Sequence, residues 1–302
     1  MFVALINLSG AVIYMEEPKK ITFRQKNATV CPACRNEFLR EEMFTGGGRL
    51  IADKLTDELR MTYKENKKWG KIYPLNYLLN VCPNCLFTAY PKDFNDVTDD
   101  EIVKIQEMRP ARKNAVIKFF GDLDFNQNRD LLMGAASYML AVDCYNLRRK
   151  NVAPTFKKAV SSIRGAWLFS DLGNEYPDRP YKKMSLFFYK KSYDYYFKVL
   201  ELLQSGAEPA DAAGNMGPDS DKNWGYEGIL YLSALLTVKF GSREKDPAKR
   251  IENYQRSKKY LSRLFGMGKS SKATPSDLIE RTRDLYDKIN EAMDNLEAES
   301  GE

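Results

Sequence analysis

Two pairs of cysteines carry the clearest chemistry in the chain. Cys31 and Cys34 stand in CPAC, Cys82 and Cys85 in CPNC, and 47 residues separate the pairs. Two residues between thiols let one tight turn aim both sulfurs at one ion, and two such turns complete a tetrahedron with bonds of about 2.3 Å. In a reducing compartment this spacing points to a metal site and away from disulfides. Zinc is the expected ion. A thioredoxin-like dithiol would need one pair after a strand in a βαβ unit, a pattern the chain lacks. Four-iron clusters use more closely spaced runs. Four thiolates leave no coordination position open, so the ion would be structural and could neither activate water nor polarise a substrate. Zinc knuckles often carry Gly directly after the second cysteine; here Arg35 and Leu86 stand there.

Little else in the sequence suggests catalysis. The chain has no histidine, which removes the usual general base, the usual activator of a nucleophile and the commonest metal ligand. The carboxylates of TDELR and KDFNDVTDDE read as helix-start and surface charges. Gly46, Gly47 and Gly48 lack the Lys and Ser/Thr of a phosphate-binding loop and read as a plain turn. The fifth cysteine, Cys144, lies in a helical apolar pattern and reads as a small buried hydrophobe. A non-enzymatic protein is therefore expected.

Composition sets the broad class. With 43% hydrophobic and 29% charged residues over 302 positions, the chain is expected to be a soluble folded protein of one large domain or two ordinary ones. The net charge of +6 is a small excess of 47 basic over 41 acidic residues, interleaved as on solvated helix faces. The first fourteen residues are apolar but lack a basic leader and fall short of the roughly 20 residues a membrane span needs. Residues 1–15 thus read as a strand or as an extension from an upstream start, Met15 opening a second natural beginning. The cytoplasm is the default location.

The elements that must position the cysteines are less regular than the helices downstream of them. Between the pairs, Leu50, Ile51, Leu55, Leu59 and Tyr63 suggest one amphipathic helix, and KIYPLNYLLNV reads as extended chain feeding the second knuckle. Thr98 and Glu101 form a capping box that opens the helical part; Pro110 should end that first helix and a second short one should follow. Periodic apolar positions then give helices over 128–149, 154–172, the run from Leu186 to Leu203, 224–240, a stretch capped by Asp246 with Pro247, and a last helix to about Ala298. The segment 204–221, rich in Gly, Ala, Pro and Asp, reads as a long mobile loop. Trp167, Leu172, Gly173 and Tyr176 approach the first-helix signature of tetratricopeptide repeats (TPR), although no clean 34-residue period emerges. The expected fold is mainly α: a small zinc-ribbon-like α+β module over 1–97, then a TPR-like antiparallel helical array over 98–302.

At CPAC, GGGRL, LTDELR, YPLNY and VCPNCLFTAYPKDF the chain resembles an uncharacterised bacterial family known only as a domain of unknown function. In that family a C-x2-C pair and a later V-C-P-x-C segment ending in D-F precede TPR-like helices. The resemblance implies a metal-binding module fused to an interaction-type helical domain, with Cys31, Cys34, Cys82 and Cys85 as ligands. It implies no activity.

The leading expectation is a protein-interaction adaptor with a structural Zn2+, its helical surface receiving a partner's peptide or helix. Arg148, Arg149, Lys190 and Lys191, which flank tyrosines, mark the segments to watch. The alternative is nucleic-acid binding, with Arg35, Arg40, Lys67 and Lys68 around the cysteine module meeting phosphates.

Overall fold

The computed structural model describes residues 2–6, 12–16, 21–44, 46–215, 217–267 and 276–300. Its N-terminal third is built of short antiparallel strand pairs. β1 (Phe2–Ile6) pairs with β2 (Val12–Glu16). β3 (Thr22–Arg24), β4 (Thr29–Val30), β5 (Glu37–Phe38) and β6 (Glu41–Met43) form one nested hairpin, β3 against β6 and β4 against β5, with CPAC at its tip. β7 (Ala52–Leu55) and β8 (Met61–Tyr63) make a second hairpin. After a single 3-10 turn at Pro74–Tyr77, β9 (Asn80–Val81) and β10 (Thr88–Ala89) carry CPNC.

The hairpin of β7 and β8 replaces the helix expected between the cysteine pairs. Leu55, Leu59 and Tyr63 recur every four residues and so mimic a helical stripe. Leu59, however, adopts φ 60°, and its amide closes a tight turn onto the Thr56 carbonyl at 3.1 Å, which sends the chain back as a strand. The turn lets Leu59 reach full burial. The expected extended run before the second knuckle is likewise interrupted by the Pro74–Tyr77 turn.

The remainder is helical. α1 (Pro91–Phe94) is a single turn, succeeded by α2 (Asp99–Glu107), α3 (Arg109–Phe120), α4 (Leu131–Tyr145), α5 (Pro154–Glu175), α6 (Tyr181–Gln204), α7 (Gly225–Phe240), α8 (Pro247–Met267) and α9 (Ser276–Ser300). The capping box of Thr98 and Glu101 opens α2, and Pro110 sits in the first turn of α3. Asp130 caps α4 by accepting the Met133 amide at 2.8 Å. From α4 onward each helix packs on the next, and α7 also meets α9. Close approach depends on glycine at two points. A Cβ on Gly173 would lie 2.5 Å from Lys182 Cγ across the α5–α6 pair, and one on Gly134 would lie 2.0 Å from Asn76 Oδ1, where α4 meets the Pro74–Tyr77 turn. No helix among the described residues is long and apolar enough to cross a membrane.

The tip of the β7–β8 hairpin is inserted into a face shared by α5, α6, α7 and α9. Glu58, buried, accepts from Trp167 Nε1 at 2.5 Å, Tyr189 OH at 2.7 Å and Lys239 Nζ at 2.7 Å. Arg281 donates to the Leu55 carbonyl at 3.0 Å and Tyr231 OH to the Asp57 carbonyl at 2.9 Å. Arg60 pairs with Asp171 at 2.6 Å. TDELR is therefore an internal anchor, and its glutamate is no surface charge.

The segment 204–221, expected as a mobile loop, is fastened at several points. Both carboxylate oxygens of buried Glu208 accept the Thr155 amide, at 3.0 and 3.2 Å, in the first turn of α5. That helix begins at Ala153 in the left-handed region without a side-chain cap of its own, so the cap arrives from elsewhere in the chain. Arg164 Nε donates to the Pro218 carbonyl at 2.6 Å, and buried Asp219 accepts the Met61 amide at 2.9 Å. Composition suggested a free loop because it does not show that Glu208 and Asp219 have amides to meet. One connected set of buried apolar side chains runs from Cys31 and Phe87 through Trp167 to Leu296, so the cysteine module and the helices share a core.

Candidate metal centre

The two cysteine turns are copies of one another. In the first, Val30 pairs with Glu37, the Cys31 amide donates to the Asn36 carbonyl at 2.9 Å, and the Arg35 amide donates to the Cys31 carbonyl at 2.9 Å. In the second, Val81 pairs with Thr88, the Cys82 amide donates to the Phe87 carbonyl at 3.0 Å, and the Leu86 amide donates to the Cys82 carbonyl at 2.9 Å. Arg35 and Leu86 have φ of 60° and 59°. They adopt the left-handed conformation for which glycine is the cheap residue, so the departure noted in the sequence changes the residue and leaves the turn intact.

The turns face each other. Sγ of Cys31 lies 3.6 Å from Sγ of Cys85, Sγ of Cys34 lies 3.5 Å from Sγ of Cys82, and all four sulfurs fall within 4.8 Å of one another. A tetrahedral tetrathiolate with bonds of about 2.3 Å has sulfur–sulfur edges of roughly 3.8 Å, so the spacing fits a single thiophilic ion. Cys31, Cys82 and Cys85 are buried and Cys34 is half-buried, which leaves one side as the way in. Crowding also divides the protons. Hydrogen bonds from Cys31 and then Cys85 hold the Cys82 thiol well below its usual value, while hydrogen bonding to Cys82 pushes Cys31 up to about 12. An arriving cation would displace the remaining protons.

Around the sulfurs stands a shell that the sequence did not reveal. Asn84 Nδ2 donates to Cys34 Sγ at 3.5 Å, and Arg109 Nη2 in turn holds Asn84 Oδ1 at 2.7 Å. Arg112, buried on α3, donates to the Cys85 carbonyl at 3.1 Å and to the Ile105 carbonyl at 2.7 Å. Gln106 Nε2 donates to the Ala33 carbonyl at 2.5 Å. Helices α2 and α3 thus clamp both turns, and two guanidinium groups face a cluster that would carry net negative charge with a divalent ion bound. The signal lay in the three-residue spacing of Arg109 and Arg112 on α3, with Gln106 just before the α2–α3 junction, but polar and basic residues on short helices read as solvent-facing.

The residues after Cys85 lock this centre to the helices. Phe87 and Phe94 are fully buried with ring centroids 5.1 Å apart, and Phe38 of the first hairpin meets Phe94 edge-on at 5.9 Å. Asp93 accepts Tyr145 OH at 2.6 Å and pairs with Lys157 at 3.2 Å. Cys144 is buried, accepts the Thr88 amide at 3.3 Å, and burial pushes its thiol up to about 11, as suits an inert packing residue.

Comparison with known proteins finds likeness over most of the chain. A family model described as "Uncharacterized protein conserved in bacteria (DUF2225)" matches residues 25–289, a span that holds all four clustered cysteines. The chain belongs to this family. A relative from Borreliella burgdorferi, described as an uncharacterized protein, is 40% identical over 278 residues, covering 92% of this chain and 99% of that one. No solved structure matches. The likeness to the Borreliella burgdorferi protein runs over nearly its whole length, and the DUF2225 match takes in both the cysteine turns and most of the helices of this chain.

The other basic residues singled out in the sequence are scattered in their roles. Arg35, Lys67 and Lys68 are exposed, whereas Arg40 is half-buried beside Glu42 at 3.3 Å. Arg148 and Arg149 are internal ties: both pair with Glu101, at 3.3 and 2.9 Å, and both donate to the Asp96 carbonyl. Lys190 is exposed and Lys191 rests over the Phe187 ring at 5.7 Å.

Proposed function

We propose that the protein is a non-enzymatic interaction adaptor. In this reading Cys31, Cys34, Cys82 and Cys85 hold one structural Zn2+ that fixes the N-terminal hairpins against the helical array, and the outer side of the array receives an acidic, amphipathic segment of a protein partner. Zinc fits the donor set because four thiolates in a closed tetrahedron satisfy it completely. Its binding free energy would add to the stability of the fold.

The observation that carries the partner reading is a groove of about 390 Å³ between α3, the start of α4 and the turn joining α5 to α6. Ile117, Leu132, Tyr176 and Tyr181 supply its apolar lining, and Lys118 and Arg179 stand on it with no carboxylate among the described lining residues. Ile117 is 58% and Tyr176 46% exposed, and together with Leu132 and Tyr181 they give the groove a continuous apolar lining. The chain's own Thr56–Arg60 turn packs elsewhere, on the face shared by α5, α6, α7 and α9, and none of its residues lines the groove. Buried carboxylates support the non-enzymatic reading, since Glu58, Asp93, Glu101 and Glu208 each spend their oxygens on internal donors.

The test is affinity capture from cell extract with the wild-type chain and a paired Ile117→Asp, Tyr176→Ala variant. A protein retained by the first and lost by the second, without loss of zinc, supports the adaptor. Salt-sensitive recovery of RNA or DNA, with no protein that depends on the groove, would replace it with the nucleic-acid reading.

A further inference from the structure

A second cavity, separate from the groove and from the sulfur cluster, lies where the first hairpin, α1, α5 and the 204–221 segment meet. It holds about 440 Å³, within the size range of small-molecule sites. Four cationic side chains line it, Arg40, Lys92, Lys157 and Arg164, and no carboxylate does so among the described lining residues. Lys157 and Arg164 lie two turns apart on one stripe of α5, so a single helix face delivers both.

These charges are unequally compensated. Lys157 pairs with Asp93 at 3.2 Å and Arg40 with Glu42 at 3.3 Å. Among the described residues neither Arg164 nor Lys92 has a carboxylate partner. Arg164 is only 6% exposed, yet its partners are neutral oxygens: the Pro218 carbonyl at 2.6 Å, Tyr90 OH at 3.1 Å and the Asp219 carbonyl at 3.4 Å. The Asp219 carboxylate is engaged by the Met61 and Ser220 amides instead. A guanidinium has five N–H donors, so about two remain for a ligand. Burial acts against the Arg164 charge, while Tyr90, Tyr138 and the Asp219 carboxylate support it, and an incoming anion would add to that support. Burial likewise pulls Lys157 below the usual lysine value, Asp93 opposing it, and pulls Arg40 down against Glu42.

Leu78, Pro91, Phe156 and Val160 supply apolar wall beside the charges, and Asn215 and Ser220 add neutral polar groups. We propose that this cavity binds a small organic anion with one acidic headgroup at Arg164 and Lys157 and a compact apolar body against Phe156 and Val160. Lys92, exposed on α1, guards the mouth and adds to the attraction.

The experiment is a fluorescence titration of the full chain with naphthyl phosphate, naphthoate and the uncharged naphthamide. At least one of the two anions should bind saturably below millimolar concentration, and the amide at least about tenfold more weakly. The anion that binds tells a phosphate headgroup from a carboxylate. Lys92→Glu, a surface change, should weaken the anion about tenfold or more, and Arg164→Met should abolish binding. If Arg164→Met does not fold, Lys92→Glu decides. Failure of both anions to saturate, equal affinity for the amide, or binding indifferent to Lys92→Glu would overturn the proposal.

Discussion

Nη2 of Arg112 donates to the main-chain carbonyl of Cys85 at 3.1 Å, so a charged side chain on α3 holds the peptide that aims one of the four thiols. Arg112 is 2% exposed and its Nη2 also reaches the Ile105 carbonyl, which fixes the guanidinium between helix and metal centre. Arg112→Met keeps the bulk and removes the donors. Metal should then leave to a chelator roughly 10- to 100-fold more readily, the usual effect of losing an outer-shell partner. Competition with a chromophoric chelator measures this directly, and a wild-type rate would show that α3 merely packs against the turns.

Replacing Cys82 or Cys85 by Ser should strip the metal. Elemental analysis is expected to give one zinc per wild-type chain and about a tenth of that or less in either variant, with a lowered melting temperature. Because α4 packs on β10, the loss should be felt beyond the hairpins, while helical ellipticity below the transition stays near wild type. An unchanged melting curve would mean the sulfurs hold nothing.

Glu58→Ala removes the acceptor shared by Trp167, Tyr189 and Lys239. It leaves the exposed Lys239 ammonium with Asp57 at 2.9 Å, and the Trp167 and Tyr189 donors without their acceptor. A destabilisation of about 2–4 kcal/mol is expected, the cost of leaving the inward-facing Trp167 and Tyr189 donors without a partner. Urea unfolding should show it, and a loss under about 1 kcal/mol would mean that the tip is held by Leu59 alone.

Stability should fall at both ends of the pH scale for identifiable reasons. For Glu101, burial acts upward, but the amides of Thr98 and Arg149 and the guanidiniums of Arg148 and Arg149 outweigh it and hold the carboxyl below its ordinary 4.5. Its contribution is thus present above that value and lost as pH falls through the lower folded one. Tyr189 is pushed up by burial and then by Glu58, above its ordinary 10.0. For Lys239, burial acts downward, but Glu58 and Asp57 outweigh it and hold the ammonium above its ordinary 10.5. Those two contributions are present below the ordinary values and lost as pH rises. Denaturant midpoints should therefore drop below about pH 4.5 and above about pH 10, and Glu101→Gln should flatten the acid limb alone.

How much of this could be read from the chain depends on whether the partners are local. Thr98 and Glu101 reveal their helix start because both halves of the box lie within one turn. The stripe of Leu131, Ala135, Tyr138 and Val142 reveals α4 because one period governs it. The cysteines reveal their grouping because few other uses of paired C-x2-C exist. Leu55, Leu59 and Tyr63 mislead because a four-residue spacing is also compatible with a hairpin whose tip is buried. Arg112, Glu58 and Glu208 were invisible: charged residues are expected in water, and their partners, Cys85, Lys239 and Thr155, are set by tertiary packing that no local pattern encodes.

The insertion of the Thr56–Arg60 turn among helices that come late in the chain sets an order of events during synthesis. The cysteine turns are complete once Cys85 has left the ribosome, whereas Lys239 and Arg281, which close over Glu58 and Leu55, emerge near the end. A nascent chain made from its N-terminus must therefore carry Leu59 and the Glu58 carboxylate uncovered while most of the polypeptide is still being made. An ion held by the four sulfurs would order the early third meanwhile, and the turn stays partly uncovered until α7 and α9 add Lys239 and Arg281 to the α5 and α6 contacts.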